Sequence, residues 1–262
     1  MNEAEVLFTE VLGCQRHNLY LDKDKILARE KSGIISRTLK RRINGEPLDY
    51  ILGKCEFMGL EFKVDSRVLI PRADTEVLVE TVIELSKEKT GKMRILDIGT
   101  GSGCIAVSLA KFIPQAFIDA VDISFDALEV AKINAGLNGV KDKIEFIKSN
   151  LFDNDIIRQG NYDIIISNPP YIATREINGL DKEVKSQPGL ALDGGYDGLD
   201  FYHRIIKDAP NYLKAKGFLI MEIGFKQRLK VENIMSKKQK IKLLKVVKDY
   251  GNIERVLVAQ MA

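Results

Sequence analysis

The sequence has few cysteines and few histidines, and each shortage argues against a class of site. Its three cysteines, Cys14, Cys55 and Cys104, lie far apart and form no Cys-x-x-Cys pair. Their odd number and their spacing argue against a disulfide framework and against a zinc site. Reduced thiols in a cytoplasmic protein fit this pattern best. The two histidines, His17 and His203, are isolated in the sequence, so we assign neither to a metal nor to acid-base chemistry.

The sequence also lacks a strong excess of one charge and a long apolar run. Forty basic and 37 acidic residues give a formal net charge of +3, which requires no polyanionic partner. In the lysine-rich stretch 237–248 the lysines alternate with apolar residues, which favours a strand with one solvent-exposed face. No window approaches about 18 apolar residues, and the acidic first residues do not resemble an export signal. We therefore expect neither membrane association nor direct binding of nucleic acid, and we expect a monomer.

An apolar content of 45% over 262 residues is sufficient for a full-sized core. The spacing of apolar residues predicts short helices over about the first 45 residues, and a change of period predicts a β-hairpin between residues 47 and 70. Asp74 is in position to cap the helix that follows. We therefore divide the chain into an N-terminal helical domain with a hairpin linker, residues 1–72, and a second domain, residues 73–262.

From Gly91 onwards, predicted strands and helices alternate, which is typical of an α/β fold with a parallel sheet and helices on both faces. Helices are predicted at 104–112, 125–137 and 198–213, with one more near the end of the chain. Strands are predicted at 94–98, 117–121, 144–147, 162–167 and 218–223, with two more strands last. Ligands of such sheets bind beyond the carboxyl ends of the strands. The residues that follow each strand are therefore the first candidates for a site.

A glycine-rich turn, Gly99-Thr100-Gly101-Ser102-Gly103, follows the first of these strands. Glycines let the backbone turn tightly and let a ligand approach it closely. The spacing is tighter than the pyrophosphate-binding Gly-x-Gly-x-x-Gly pattern, and the absence of Gly-Lys-Ser/Thr excludes a triphosphate loop. An ordinary strand-to-helix turn is the alternative interpretation of this segment.

The next two strand ends add polar groups to this turn. Asp122 can accept both hydroxyl protons of a ribose, although a cap of the next helix is the alternative. Asn150, Leu151 and Phe152 follow the third strand, where they can read and enclose an adenine. Together these features describe a nucleoside-bearing ligand without pyrophosphate, and S-adenosylmethionine is such a ligand. Its sulfonium methyl group would point toward the end of the fourth strand.

That fourth strand ends at Asn168-Pro169-Pro170-Tyr171. The Asn168 side-chain oxygen and the Pro169 carbonyl can accept hydrogen bonds from a planar –NH₂ group, and the Tyr171 ring can pack against it. Proline fixes φ and removes a donor, so the turn is rigid and its carbonyls are held in one direction. A plain strand-ending turn is the alternative, because Asn-Pro and Pro-Pro are common in loops.

We therefore expect the Asn-Pro-Pro-Tyr turn to bind the substrate, with Asn168, Pro169 and Tyr171 as catalytic residues and Pro170 as a further substrate contact. The predicted cofactor-binding residues are Gly99, Thr100, Gly101, Ser102, Gly103, Asp122, Asn150, Leu151 and Asn168.

Nearly the whole chain resembles the HemK/PrmC family, the release factor glutamine N5-methyltransferases. The resemblance lies in the linker and the start of the catalytic domain (47–53, 56–62 and 68–72), the cofactor loop (97–103), the substrate motif (167–172) and a later loop (192–202). Asn-Pro-Pro-Tyr is shared with amino-methyltransferases of nucleic acids, whereas the linker and the Gly194-Gly195 loop are more specific. The chain departs from the family at Ala73-Asp74, where Pro-Glu is usual, and at Leu151, where many relatives carry Trp.

The resemblance implies a seven-stranded Rossmann-like class I methyltransferase domain and a substrate-recognition role for residues 1–72. It also implies methyl transfer from S-adenosylmethionine, with S-adenosylhomocysteine as product. The acceptor would be the glutamine amide nitrogen in the Gly-Gly-Gln motif of class 1 peptide chain release factors. We expect Arg72 and Glu76 to shape the cofactor pocket. The polar segment 172–197 is long enough for a substrate lid, with a disordered loop as the alternative.

Two other functions compete with this one. An enzyme that methylates exocyclic amines of nucleic acid bases, such as N6 of adenine, faces the same planar –NH₂ group and would stack a flipped base on Tyr171. Such an enzyme should carry a target-recognition domain or a basic groove, and the sequence shows neither. A nucleoside-binding protein without turnover is the second, but binding alone does not require an acceptor such as Asn168.

Overall fold

The computed structural model describes residues 2–21, 26–238 and 240–262. The helices are α1 (Glu3–Leu12), α2 (Asn18–Leu21), α3 (Arg29–Ile43), α4 (Leu48–Leu52), α5 (Ala73–Ser86), α6 (Cys104–Phe112), α7 (Phe125–Leu137), α8 (Thr174–Ile177), α9 (Lys182–Lys185), α10 (Asp200–Tyr212) and α11 (Arg228–Ser236). The strands are β1 (Lys54–Phe57), β2 (Leu60–Lys63), β3 (Met93–Ile98), β4 (Ala116–Asp122), β5 (Ile144–Lys148), β6 (Tyr162–Ser167), β7 (Leu213–Glu222), β8 (Ile241–Lys248) and β9 (Glu254–Met261).

Seven strands form one sheet in the order β5-β4-β3-β6-β7-β9-β8, which confirms the predicted Rossmann-like architecture. The five strands from β3 to β7 pair in parallel, whereas β9 runs antiparallel to both β7 and β8. The prediction of a parallel sheet is therefore wrong at this edge. The short connection from β8 to β9 permits only a hairpin, because parallel neighbours need a long crossover. The strand β8 carries the lysine-rich pattern as predicted, with Lys242, Lys245 and Lys248 exposed.

The central strands are apolar throughout because helices cover both of their faces. Successive side chains of a strand point to opposite faces of the sheet. Ile95 accordingly packs in a cluster with α5, α6 and α7, and its neighbour Leu96 packs in a second cluster with α10 and α11. Both side chains are fully buried.

The N-terminal segment is helical, as predicted, but its linker differs from the prediction. A capping box begins α1, since the Asn2 side chain accepts from the Glu5 N–H at 2.8 Å and the Glu5 carboxylate accepts from the Asn2 N–H at 3.0 Å. The predicted hairpin from 47 to 70 is shorter in the structure, because α4 occupies its first part. Strands β1 and β2 are joined by Met58 and Gly59, both at positive φ, which suits a two-residue hairpin turn.

The capping role predicted for Asp74 is wrong. Helix α5 begins at Ala73, and the extended residue Arg72 occupies the cap position. Asp74 lies in the first turn, where a negative charge is favourable near the helix N-terminus. Its carboxylate forms an ion pair with Arg255 of β9 at 3.0 Å. This pair connects the start of α5 to the sheet.

The segment 172–197 is folded, so the disordered-loop alternative is not supported. It contains α8, α9 and a short 3-10 turn at Gly189–Ala191. Its two ends are joined because the Ile172 N–H donates to the Leu192 carbonyl at 3.0 Å and the Gly194 N–H donates to the Ile172 carbonyl at 2.8 Å.

Two classes of feature are absent from the part of the chain that the structure describes. In residues 2–21, 26–238 and 240–262, no group of three or more His, Cys, Asp and Glu side chains is arranged to hold a metal ion. Among the helices of these same ranges, none is long and apolar enough to cross a membrane.

Helix α6 packs closely against α7 at Gly103, and this contact generates a stability prediction. Gly103 has φ of +79°, and a Cβ atom there would lie 2.9 Å from the Ala131 Cβ. We expect Gly103→Ala to lower the free energy of unfolding by about 2 kcal/mol or more, because it adds both backbone strain and a steric overlap. Urea denaturation measures this change.

Gly136→Ala is the matched control, since Gly136 lies in α7 and nothing is within 4 Å of its Cβ position. It should raise the free energy of unfolding by up to about 1 kcal/mol, the usual difference between Ala and Gly in a helix. An equal effect of the two substitutions would contradict the packing assigned to Gly103.

Candidate active site

The residues that follow β3, β4, β5 and β6 line one cavity of about 310 Å³. Eight of the residues predicted from the sequence line it: Gly99, Gly101, Asp122, Asn150, Leu151, Asn168, Pro169 and Pro170. Parallel strands end at the same edge of the sheet, which is why residues far apart in the chain meet here. The wall opposite the strand ends includes Arg67, Leu69, Leu190, Phe201 and Arg204, none of which the sequence analysis assigned to a site.

The glycine turn presents bare backbone to this cavity. The N–H groups of Gly99 and Thr100 both donate to the Val121 carbonyl of β4 at 2.9 Å, which fixes the turn against the neighbouring strand. Gly99 and Gly101 have φ of +74° and +55°, a region in which glycine carries no steric penalty. No heavy atom lies within 4 Å of a Cβ built on Gly99. A ligand can therefore approach the turn closely.

Asp122 holds the glycine turn to the end of β4. Its carboxylate accepts from the Gly101 N–H at 2.8 Å through Oδ2 and from the Ser124 N–H at 2.9 Å through Oδ1. The helix cap of α7 is Ser124, whose hydroxyl oxygen accepts from the Ala127 N–H, so the capping alternative for Asp122 is wrong. Burial raises the pKa of Asp122 against the lowering effect of these N–H groups. Each carboxylate oxygen retains a second lone pair for a ligand hydroxyl.

The three other residues of the turn do not line the cavity. Thr100 donates its hydroxyl to Asp97 Oδ2 at 2.7 Å, and Gly103 packs against α7. The Ser102 carbonyl accepts from the Asn134 side chain at 2.8 Å, and Asn134 also bonds both the N–H and the carbonyl of Lys63 in β2. These three residues hold the turn in place, and the cofactor contact predicted for them stays a prediction.

Asp97, the residue before the last of β3, is a buried carboxyl group that the sequence analysis did not assign to the site. Its side chain is fully buried, and its Oδ1 atom has no hydrogen-bond partner. Burial raises the pKa of Asp97 to about 7, and the hydrogen bond from Thr100 opposes this change. Asp97 is enclosed by protein atoms and does not itself line the cavity, and its contact with the glycine turn is the hydrogen bond from Thr100.

Of the residues that follow β5, two line the cavity and one lies in the core. Asn150 lines the cavity and accepts a hydrogen bond from Arg204 of α10 at 2.8 Å. Leu151, at φ of +58°, turns the chain and also lines the cavity. The prediction that Phe152 faces the ligand is wrong, because its ring is buried and stacks on Tyr212 at 4.5 Å between ring centroids. An apolar ring gains more from that packing than from a half-open cavity.

The amide of Asn168 is held in one orientation by two buried side chains. Asn168 Nδ2 donates to Thr75 Oγ1 at 3.0 Å, and the Thr75 hydroxyl donates to Glu222 Oε2 at 2.7 Å. Because the single Thr75 proton goes to Glu222, Thr75 can only accept from Asn168. The nitrogen of the Asn168 amide therefore faces Thr75, and its oxygen is available to a ligand.

A second cavity of about 440 Å³ meets the first one at this turn. Leu69, Asn168, Pro169 and Ala191 line both cavities, whereas Tyr171 lines only the second. Burial raises the pKa of Tyr171 to about 12, so its hydroxyl is neutral and cannot act as a base at neutral pH. The two cavities thus share a boundary that contains the first two residues of the Asn-Pro-Pro-Tyr turn.

Neither Arg72 nor Glu76 lines the first cavity, and the expectation that they shape the cofactor pocket stays a prediction. Arg72 lines the second cavity instead of the first. Glu76 accepts from the Met58 N–H at 2.6 Å and so holds the β1-β2 hairpin against α5.

The Gly194-Gly195 loop packs directly on the Asn-Pro-Pro-Tyr turn. A Cβ atom at Gly194 would lie 2.8 Å from both the Pro170 carbonyl oxygen and the Tyr171 Cα. Since real Cβ atoms do not approach so closely, only glycine fits here. This contact fixes the segment 172–197 against the Asn-Pro-Pro-Tyr turn.

Comparisons with known proteins identify the family of this chain. The model of the methyltransferase small domain matches residues 73–183, and the model of the PrmC N-terminal domain matches residues 1–53. A release factor glutamine methyltransferase of Agrobacterium fabrum is 42% identical over 259 residues, which cover 97% of this chain and 88% of the relative. The corresponding protein of Thermodesulfovibrio yellowstonii is 39% identical over 263 residues, which cover 99% and 92%.

Solved structures support the fold. A methyltransferase from Pyrococcus furiosus superposes with a TM-score of 0.56 at 20% identity, covering 86% of this chain and 98% of that one. A ribosomal protein L11 methylase from Lactobacillus delbrueckii subsp. bulgaricus gives a TM-score of 0.54 at 22% identity, covering 76% and 83%. The predicted class I methyltransferase architecture is confirmed.

The buried Asp97 predicts a pH-dependent stability. Its pKa is about 7 in the folded protein against 3.8 for the free group, so below pH 3.8 both states are protonated and burial has no electrostatic cost. As the pH rises toward 7, the unfolded state loses this proton and the folded state keeps it, so stability falls. Asp97→Asn cannot ionise, and its free energy of unfolding relative to wild type should rise by roughly 2–4 kcal/mol over this interval.

Urea denaturation at a series of pH values measures this difference. Thr81→Val, which removes a buried hydroxyl and no ionisable group, is the control and should differ from wild type by a constant amount across the interval. A constant difference between Asp97→Asn and wild type across the interval would contradict the raised pKa.

Proposed function

Because this chain belongs to the family of release factor glutamine methyltransferases, we propose that it transfers a methyl group from S-adenosylmethionine to N5 of the glutamine in the Gly-Gly-Gln motif of class 1 peptide chain release factors. The observation that carries the proposal is the meeting of two cavities at Asn168 and Pro169. A methyl donor in the first cavity and an acceptor amide in the second would come together at these two residues.

The first cavity fits the cofactor in the chemistry of its lining. We propose that the bare backbone at Gly99 and Gly101 lies along the amino acid part, that Asp122 accepts the ribose hydroxyl protons, and that Asn150 and Leu151 contact the adenine. When bound, S-adenosylmethionine supplies an electrophilic methyl group on a positively charged sulfur.

The acceptor nitrogen requires orientation more than it requires a base. An amide nitrogen is a poor nucleophile, because its lone pair is delocalised into the carbonyl group. We propose that the Asn168 side-chain oxygen and the Pro169 carbonyl each accept one N–H of the glutamine amide and so direct its lone pair toward the methyl group. Polarising these N–H bonds stabilises the positive charge that develops on nitrogen. Alignment of this kind can lower a barrier by up to about 7 kcal/mol.

The second cavity supports a role for Tyr171 and Pro170 in substrate binding. Tyr171 is held by the Gln227 side chain, whose Nε2 donates to the Tyr171 carbonyl at 2.9 Å. With its backbone held in this way, the neutral Tyr171 ring can pack against the flat glutamine amide or its neighbours. After attack the nitrogen releases one proton to solvent, since the Tyr171 hydroxyl is already protonated.

We propose that residues 1–72 recognise the release factor. An ion pair between Arg42 of α3 and Glu183 of α9, at 2.9 Å, joins this part to the segment 172–197. A partner that contacts the N-terminal helices would thus also contact the segment beside the second cavity, which supports a substrate lid at 172–197. A cytoplasmic monomer stays our expectation.

Methylation of exocyclic amines in nucleic acids is the second candidate, and one experiment distinguishes the two. The protein is incubated with methyl-labelled S-adenosylmethionine and either a class 1 release factor or double-stranded DNA. We expect label in the release factor alone, and mass spectrometry should locate it on the Gly-Gly-Gln glutamine. Label in DNA, or in neither substrate, would contradict the proposal.

The acceptor role of Asn168 predicts a loss of turnover without a loss of folding. Asn168→Ala removes the oxygen that orients the glutamine amide, so kcat should fall on the order of 10²-fold, as it does when one oriented hydrogen-bonding group is removed from an active site. Cofactor affinity, measured by calorimetry, should largely persist. Asn161→Ala, at the opposite end of β6, is the control and should keep near-normal turnover. Near-normal turnover of Asn168→Ala would contradict the acceptor role of Asn168.

The ribose role of Asp122 predicts that a substitution there weakens cofactor binding, which Asn168→Ala should leave largely unchanged. Asp122→Ala removes a charged acceptor and also releases the Gly101 N–H, so the Kd for S-adenosylhomocysteine should rise by roughly 10- to 100-fold. Calorimetric titration measures this change. Asp126→Ala removes an exposed carboxylate four residues later and should bind as wild type does. Equal affinities of the two variants would argue against a cofactor contact at Asp122.

A further inference from the structure

We propose that Thr75 and Glu222 are positioning residues, which act through Asn168 and determine which end of its amide faces the acceptor glutamine. The proposal rests on the function proposed above and adds two residues to it. Neither residue lines the first or the second cavity. Their effect on the reaction must therefore pass through the hydrogen bonds that they make.

The three side chains form one buried chain of hydrogen bonds. Strands β6 and β7 are parallel neighbours with Ser167 opposite Met221, so Asn168 and Glu222 lie side by side just beyond that pair. Thr75 enters from the first turn of α5 and bridges them at 3.0 Å and 2.7 Å. Thr75 and Glu222 are 2% and 1% exposed, so water does not compete for these bonds.

The charge on Glu222 determines the direction of this chain. An ionised carboxylate can only accept, so it takes the Thr75 proton, and Thr75 must then accept from the Asn168 NH₂ group. A protonated carboxyl group can instead donate to Thr75, which frees the Thr75 proton for the Asn168 oxygen. The amide would then turn over and present its NH₂ group to the acceptor. Two N–H groups facing each other cannot form a hydrogen bond, so the acceptor amide would lose its orientation.

Charged and titratable groups surround Glu222 on several elements. Arg255 of β9 faces it and is itself paired with Asp74 of α5 at 3.0 Å and Asp249 at 3.1 Å. Tyr171 and Tyr202 are the phenols near it, and the Tyr202 hydroxyl donates to the Glu222 backbone carbonyl and not to its carboxylate.

Burial raises the pKa of Glu222 to about 7, and the charge of Asp74 also raises it. The hydrogen bond from Thr75, the charge of Arg255 and a hydrogen bond from Asn168 lower it. The ionised fraction therefore increases as the pH rises through about 7, and turnover should increase with it.

Substitutions at Thr75 test the bridge. Thr75→Val keeps the shape and removes the hydroxyl, so kcat should fall by about 10-fold or more, as misplacement of a reacting group does, with the KM for the release factor within about threefold of wild type. Thr75→Ser restores the hydroxyl and should recover most of the turnover. Thr81→Val, also buried in α5 but bonded only to its own helix, is the matched control with unchanged turnover. Equal losses in the Ser and Val variants would overturn the proposal.

The ionisation of Glu222 is tested by pH profiles and by a readout that needs no methyl acceptor. Glu222→Gln keeps the shape and cannot ionise, so the rise of kcat near pH 7 should disappear. In wild type, the side-chain amide resonances of Asn168 should shift in nuclear magnetic resonance spectra with a midpoint near pH 7, and in Glu222→Gln they should not.

If wild type and Glu222→Gln show the same pH profile of kcat and the same titration of the Asn168 amide, the proposal is overturned. A wild-type protein that methylates no release factor, yet shows the amide titration, would contradict the proposed function and leave the hydrogen-bond chain established.

Discussion

The register of three parallel strands determines the position of the whole site. Ile98 of β3 lies opposite Val121 of β4 on one side and opposite Ser167 of β6 on the other. The residues that come next, Gly99, Asp122 and Asn168, therefore meet at one edge of the sheet. A shift of one residue in either pairing would turn the alternating side chains to the opposite face. The apolar clusters on both faces hold this register, and so the core specifies the site.

The protein also keeps charged groups where a more stable fold would not have them. Asp97 and Glu222 lie in the core near the carboxyl ends of two central strands, and burial raises the pKa of both to about 7. Desolvation of a carboxylate costs several kcal/mol unless partners compensate. Asp97 has one partner, Thr100, and an oxygen without a hydrogen bond. Such costs are common at functional sites, where stability is given up for activity.

Much of the architecture could be predicted from the sequence, because local patterns encode it. The bounds of α6, α7 and β6 were predicted to the residue, since each is a periodic or apolar run between strong breakers. The linker was harder, because Leu48–Leu52 is too short to show a helical period. The antiparallel edge was missed because strand direction depends on pairing partners, and an apolar run does not encode them.

The site was predictable only in part. The residues that line the cavity at the strand ends, from Gly99 to Pro170, carry local signals of glycine, proline and polar side chains. Thr75 and Glu222 carry none: they are 147 positions apart in the sequence, and each is ordinary in its own segment. Their hydrogen bond exists only because α5 packs across the ends of β6 and β7. Phe152 is the opposite case: it follows a strand end, which predicted a place in the cavity, but its ring packs in the core.

The central claim is that the Asn168 oxygen and the Pro169 carbonyl orient the acceptor amide. A crystal structure of the protein with S-adenosylhomocysteine and a release factor tests it most directly. We predict that the glutamine amide nitrogen lies within hydrogen-bond distance of Asn168 Oδ1 and of the Pro169 carbonyl, on the side that faces the cofactor sulfur. A glutamine bound elsewhere, or one whose carbonyl oxygen instead of its nitrogen faces the sulfur, would contradict the account.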